Sequence, residues 1–514
     1  MERFVDRHKD DIVGTLSGYD RVLFRGTLRS ISYVTGMEIF VSSQGVLFKN
    51  YDSYAASLTA ELIKHSKQYA EQSQRPWIYL KSPKESKEEL VRELLKDNPI
   101  SEGLICVLRC VEPCHTWVVR FESNRQGRFL RYEPRQCLYL YYYFLHPEFG
   151  LMHIRLQSWF PFNIQVCLNG REYLACQMAR EGIGYEKQDN CFTRIDKLAR
   201  AQELIDKLES YDWNQFLDPL AHLVNPLLEK KPGLKNLKGY YWSVRQSEYA
   251  TDVIFRDQAS LDAIYPALIK HAIEEFHSED VLRFLERRTN SRFAGRSEGS
   301  LKRRIEGTRV KHFVEENSIK MYNKAGSVLR IETTINNPRR FAVRRESTSK
   351  GKRVKKWQRM RKGIADFKRR TEIGRSANRR YLNALAVVGE MKVSHELFDA
   401  VSRRVEKDGR QYRALRPVSP EDCCLFEAVM RGEFLIQGFR NRDLRERLGA
   451  QVENDPRELK RASGRITRLL RLLAAHQLIY KVVHTNYYRI TRKGQEIMAT
   501  AIKFRNSDVA LLAG

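Results

Sequence analysis

The amino-acid sequence predicts a multidomain α+β protein with a central antiparallel, palm-like sheet and a helical C-terminal domain closed by a β-hairpin. Three observations carry this prediction. Thr308–Asn336 reads as three short strands, broken at Glu315-Glu316-Asn317 and at Lys324-Ala325-Gly326-Ser327, where Asn, Gly and Ser suit hairpin turns. Between Pro417 and Arg505 the periodicity gives helix, helix, helix and hairpin in that order. Between these regions, Arg339–Arg380 sets 18 Lys and Arg against three acids, Glu346, Asp366 and Glu372, a net +15.

The chain of 514 residues is long enough for three or four domains at about 100–200 residues each. Its 91 Lys and Arg exceed 63 Asp and Glu by 28, a balance suited to polyanionic partners. DNA is the favoured partner, with RNA as the alternative. A membrane is not expected. The start MERFVDRHKDDIVG lacks an apolar core, and the most apolar run, Cys137–Leu145, falls well short of the ~20 residues of a span. Nine cysteines, with Cys423 and Cys424 adjacent, point to a reducing cytoplasm. Together with the charge, that predicts a nucleoid-associated location. Cys106, Cys110, Cys114 and His115 are not spaced as the paired ligands of a zinc ribbon and read as buried thiols.

Taken in order, residues 1–135 read as an α/β domain. Tyr19–Leu28 alternates like a strand, Tyr54 to about Gln74 and Lys84–Lys96 have helical spacing, and Leu104–Leu108 and Thr116–Phe121 are strand candidates. Residues 136–235 form an aromatic-rich strand and helix region. Its His153, Arg155 and Gln157 alternate on one face, and a helix is expected from Gly170. Trp159, Phe160 and Phe162 could stack on unpaired bases, but core packing is the favoured reading.

Residues 236–338 hold the central sheet and the candidate active site. Leu329, Ile331, Thr333 and Ile335 share one strand face, and Arg330, Glu332, Thr334 and Asn336 share the other. The preceding strand likewise opposes Ile319 and Met321 to Lys320, Tyr322 and Lys324. In Gly239–Phe255, Gln246, Glu248 and Asp252 share a face, but residues four apart on a strand lie about 13 Å apart. The expected site therefore joins Glu332 to Glu248 or Asp252, with His312 as a further ligand, around Mg²⁺ or Mn²⁺. Tyr322 is the expected nucleophile, with Tyr241 and Tyr249 as alternatives and Lys324 beside it.

Residues 339–380 read as a basic linker or arm that holds nucleic-acid backbone through Lys352, Arg353, Lys355, Lys356, Arg359 and Arg361, with Trp357 among them. Residues 381–514 form the last domain. Its helices are Ser419–Arg431, Asn441–Leu448 and Asp455–Ala475, and its hairpin is Leu478–Ile490, turning at His484-Thr485-Asn486. Ile466, Leu469, Leu470 and Leu473 make the apolar stripe of the third helix, and Arg461, Arg465 and Arg468 lie on another face. This order, and the ending YYRITRKGQEIM, resemble the winged helix-turn-helix of bacterial regulators. The resemblance implies that the three arginines enter the major groove, with Lys481, His484, Asn486 and Arg489 on the wing.

Two further resemblances bear on function. The runs VEPCHTW, YWSVRQSEYATD and SIKMYNK–LRIETTIN resemble those of an uncharacterised bacterial protein family. NSIKMYNKAGSVLRIETTIN is similar to the R-Y-D-K … R-I-E stretch of rolling-circle replication initiators, although Asn323 stands in place of the Asp. That similarity implies roles for Tyr322, Lys324, Arg330 and Glu332 in metal-dependent phosphodiester chemistry. The expected function is DNA processing for a mobile element or replicon, of initiator, nickase or transposase type. A non-catalytic winged-helix regulator and an RNA-binding or RNA-maturation protein are the alternatives.

Overall fold

The computed structural model describes all residues except 1, 123–126, 238, 277, 287–296, 305–306, 350–351, 387, 389–393, 432–433, 435–437, 446, 449–455, 483–484 and 508–514. It is an α+β structure dominated by one mostly antiparallel sheet of eleven strands. In chain order the strands are β1 (Ile12–Thr27), β2 (Trp77–Leu80), β3 (Gly103–Phe121), β4 (Arg128–His146), β5 (Gly150–Gln157) and β6 (Ile164–Asn169). A separate hairpin follows, β7 (Tyr185–Gln188) and β8 (Cys191–Ile195). Then come β9 (Tyr241–Phe255), β10 (Ser297–Arg304), β11 (Gly307–Val314), β12 (Asn317–Lys324) and β13 (Val328–Ile335). The sheet order is β10-β11-β12-β13-β9-β1-β6-β5-β4-β3-β2, and only the edge pair β2/β3 is parallel.

The long strand β1 joins segments far apart in sequence, because it pairs with β6 on one side and β9 on the other. Strands from residues 1–135, 136–235 and 236–338 thus share one sheet. One face is apolar. Phe24, Ile164 and Val166 pack there with Leu58, Leu62, Leu204 and Trp213 from the covering helices. Farther along the same face, Ile319, Met321, Leu329 and Ile331 meet Leu261 and Leu268 of helix Gln258–Glu274 and Ile373 and Tyr381 of helix Phe367–Leu385. The expected alternation on β12 and β13 is the one observed. The turn between them uses Ala325 and Gly326, both at positive φ, 54° and 80°. Phe160 and Phe162 are core residues.

The basic stretch 339–380 is not a simple arm. It forms a hairpin, β14 (Ala342–Ser349) and β15 (Lys352–Arg359), and then enters helix Phe367–Leu385. Phe367, Ile373, Ala377, Tyr381 and Leu385 form the buried stripe of that helix, while Lys368, Arg375 and Arg379 face outward. An apolar stripe of helical period is diluted in a composition dominated by Lys and Arg, so net charge conceals it.

The C-terminal part has its own core, in which Phe426, Leu444, Ile466, Leu470, Leu473, Ile490 and Met498 meet. Its helices include Pro420–Val429, Asn441–Arg445, Pro456–Ala475 and Arg492–Asn506, with a short hairpin Ile479–Lys481/Tyr488–Ile490 before the last. Among the described residues, no helix is long and apolar enough to cross a membrane. All nine cysteines are free. Cys106, Cys110 and Cys114 lie along β3 at intervals of four residues, about 13 Å each, too far apart to hold one ion together.

Candidate active site

On the face opposite the main core, the centre of the sheet carries three buried carboxylates. Asp20 of β1, Glu248 of β9 and Glu332 of β13 each place an oxygen within 4.8 Å of the others. Two of them follow from plain strand alternation. Glu332 shares a face with Arg330, and Glu248 with Gln246. Asp20 arrives by a β-bulge: Tyr19 pairs with Tyr249 and Arg21 with Glu248, so Asp20 is the extra residue and both Asp20 and Arg21 turn toward Glu248.

The segment after β6 completes the positioning. Asn169 caps helix Gly170–Arg180 by accepting from the Arg171 and Glu172 amides. Gly170 lies against β1, where a Cβ would come 2.1 Å from the Tyr19 carbonyl oxygen, so only glycine permits this approach beside the bulge. Asn190, between β7 and β8, donates to both Asp20 oxygens at 2.8 and 2.9 Å.

Each carboxylate has a cationic neighbour. Arg21 donates to Glu248 through Nε and Nη2, both at 3.2 Å, and Gln246 adds a bond at 2.7 Å. Lys320 Nζ donates to Glu332 at 2.5 Å, and the Tyr322 hydroxyl donates to its other oxygen at 2.7 Å. Arg330, fully buried, lies 3.6 Å from Asp20 and grips Asp252 at 2.5 and 2.9 Å. Arg171 contacts Asp252 at 2.9 Å. Four carboxylates therefore face four cations, and the cluster is close to neutral as it stands.

Burial, opposed by Arg330 and reinforced by Glu332 and Glu248, pushes the Asp20 carboxyl up to about 6. Burial also acts on Glu332, but Lys320, Tyr322 and Arg330 outweigh it and hold Glu332 below the usual carboxylate range. Asp252 is held low in the same way by Arg171 and Arg330 against its burial. Burial and the Glu332 charge push the Tyr322 phenol well above its ordinary value.

All three carboxylates line a cavity of about 520 Å³, together with Tyr322, Asn323 and Lys324. Oxygen donors converging on one point are the ligand chemistry of hard divalent cations. Tyr322, Glu332 and Glu248 are thus brought together as the sequence suggests, and Lys324 stands at the rim, paired with Asp189 at 3.1 Å. Asp252 is committed to Arg330 and Arg171. His312 lies on the opposite face, hydrogen-bonded to the Tyr381 hydroxyl at 3.1 Å. Tyr249 also faces away, accepting from Arg375 Nε at 3.1 Å. Tyr241 lies seven residues along β9 from Glu248, about 23 Å, beneath Arg29. Sequence reasoning missed Asp20, because simple alternation groups it with core residues Val22 and Phe24; only the bulge re-aims it.

Those expected nucleic-acid contacts whose side chains are described lie on the surface. Arg461, Arg465, Arg468, Lys481 and Arg489 are exposed, as are Lys355, Lys356, Trp357, Arg359 and Arg361. The side chains of Lys352, Arg353 and His484 lie outside the described residues. No known protein family, curated protein or solved structure matches the chain.

Proposed function

We propose that this protein processes DNA by metal-dependent phosphodiester chemistry, as an initiator, nickase or transposase-like enzyme of a mobile element or replicon. The observation that carries the reading is the convergence of Asp20, Glu248 and Glu332 within 4.8 Å in a cavity that also holds the Tyr322 hydroxyl. The three carboxylates would hold Mg²⁺ or Mn²⁺, which supplies Lewis-acid polarisation of a scissile phosphate. A divalent cation added to a nearly neutral cluster leaves an excess of positive charge, which an entering phosphodiester offsets.

Tyr322 is the nucleophile in this reading. Its oxygen forms a bond to phosphorus while its proton passes to Glu332, 2.7 Å away. The bond from phosphorus to the leaving sugar oxygen breaks, and that oxygen takes a proton from water. Because burial and Glu332 keep the phenol protonated, proton transfer accompanies attack and does not precede it. Lys324 at the rim suits the non-reacting phosphate oxygens. The exposed β14/β15 hairpin and the C-terminal helices would hold flanking DNA. Helix order and the exposed Arg461, Arg465 and Arg468 support a winged helix for the latter.

The test is incubation with supercoiled plasmid and 5′-labelled single-stranded DNA, with Mg²⁺ or Mn²⁺ or with EDTA, read on a denaturing gel. Metal-dependent nicks that vanish in Glu332→Gln are expected, with label retained on the protein and lost in Tyr322→Phe. Absence of cleavage with DNA binding intact would discard the catalytic reading. The near-neutral charge balance favours, as a second reading, a non-catalytic winged-helix regulator in which these ion pairs only fasten the sheet. A footprint on DNA without strand breakage identifies that case.

A further inference from the structure

The same sheet face carries a second polar cavity, of about 200 Å³, lined by Arg25, Arg155 and Arg245 with Tyr139, Gln157 and Gln165. These residues meet by strand register. Arg25 of β1 lies opposite Gln165 of β6, and Gln165 lies opposite Arg155 of β5. On its other side Arg25 lies opposite Ser243, and Arg245 stands two residues along β9. Arg155 is fixed in place: it donates to Gln165 at 3.3 Å and lies 3.6 Å from the centre of the Tyr139 ring.

The charge here is unbalanced. Glu112 is shared between Arg155 at 2.5 Å and Lys87 at 3.1 Å. Arg25 and Arg245 have no carboxylate partner among the described residues, and the buried Nε atoms of Arg25 and Arg155 have no hydrogen-bond partner. Buried donors are normally satisfied, and like charges gathered without a counterion weaken a fold. An anion supplies both what the donors and what the charges lack.

We infer that Arg25, Arg155 and Arg245 form a phosphate-binding track that leads a nucleic-acid strand from the carboxylate cavity to the basic hairpin. Arg21, at Glu248, and Arg25 are four residues apart on β1, about 13 Å, so the ligand is longer than one nucleotide. At the far end the hairpin is rooted beside the arginines. The Val244 amide donates to the Lys362 carbonyl at 2.7 Å, and Ser243 bridges to Gly363. From that root the hairpin presents exposed Lys355, Lys356, Trp357 and Arg359. Although Arg245 is exposed as a whole, partial desolvation of its guanidinium, together with repulsion from Arg25 and Arg155, disfavours its charge, in keeping with a site arranged for an anion. The inference deepens the nucleic-acid reading of this face and rests on it.

The test is fluorescence anisotropy of the full chain with a labelled oligothymidylate of about eight nucleotides, short enough to sample one surface. The variants are R25Q/R245Q and, as a control, K230Q/K235Q, which removes two exposed cations from another surface. R25Q/R245Q is expected to bind about tenfold more weakly and to lower the slope of log K against log salt by about 1.4, at ~0.7 per single-strand phosphate. Binding by R25Q/R245Q equal to that of the control would overturn the track. Arg245 is exposed, so Arg245→Gln alone, with half the slope change, serves if the double variant misfolds. Wild-type cleavage is followed in parallel with Mn²⁺. Weakened binding in R25Q/R245Q without wild-type cleavage keeps the track and discards the chemistry; cleavage with unchanged binding does the reverse.

Discussion

Replacing Asp252 by Asn separates a structural carboxylate from a metal ligand. Asp252 is fully buried, as are Arg171 and Arg330, which both bind it. With its charge removed, those guanidiniums retain, among the described residues, only Asp20 as a neighbouring carboxylate, at 3.6 Å from Arg330. Breaking a buried pair from one side costs about 3–5 kcal/mol, because the partner's charge stays desolvated. Glu248 offers the contrast. Its partner Arg21 has a side chain 49 % exposed, so Glu248→Gln should cost only about 1 kcal/mol. The assay is urea unfolding at pH 7 by tryptophan fluorescence, paired with Mn²⁺ titration of the folded protein. Asp252→Asn should lower the urea midpoint by roughly 1–2 M, at an m-value of about 3 kcal/mol/M, and keep Mn²⁺ binding. Glu248→Gln should lower the midpoint by only about 0.3 M and weaken Mn²⁺ binding. A stable Asp252→Asn protein that no longer binds Mn²⁺ would refute the assignment and make Asp252 the ligand. Adding Arg171→Met to Asp252→Asn should recover part of the lost stability, since one uncompensated charge goes with it.

Two further predictions concern regions away from the carboxylates. Burial against Phe276 and Tyr381 pushes His312 down to about 4, so the fold favours the neutral ring. The unfolded chain binds the proton near 6.5, and this stabilising contribution, fully present above that value, is lost as pH falls toward 4. Urea titrations should therefore show about 2–3 kcal/mol of extra destabilisation between pH 7 and pH 4.5 that His312→Gln lacks; matching pH profiles would exclude it. At the C-terminal helix, Arg461→Gln/Arg465→Gln/Arg468→Gln should lower the salt slope of duplex binding by about 2.7, at ~0.9 per phosphate. An unchanged slope would remove that helix from the DNA surface.

Much of the site's inner layer was legible because strand alternation is local. Lys320, Tyr322 and Glu332 share a face through the pairing of β12 with β13, which their hairpin turn sets. Glu248 was legible for a similar reason, as one of two acids on the polar face of a single strand. Its distinction from Asp252 was not, because it rests on Arg171, a residue 81 positions away from Asp252. His312 illustrates the opposite error: a chemically apt side chain whose strand parity sends it to the core face.

Composition and periodicity by themselves determined the α+β class, the antiparallel meander with its polar and apolar faces, the amphipathic C-terminal helices and the excess of positive charge. Each depends on residues within one or two turns or one hairpin of each other. Only the tertiary structure decided that three segments share one sheet, that the last third of the basic stretch belongs to a core helix, and that Asp20 completes the carboxylate cluster. Those outcomes depend on β1 pairing with strands more than 100 residues away and on a bulge in that pairing. Register between distant strands is set by the packing of the whole sheet, and no short stretch of sequence encodes it.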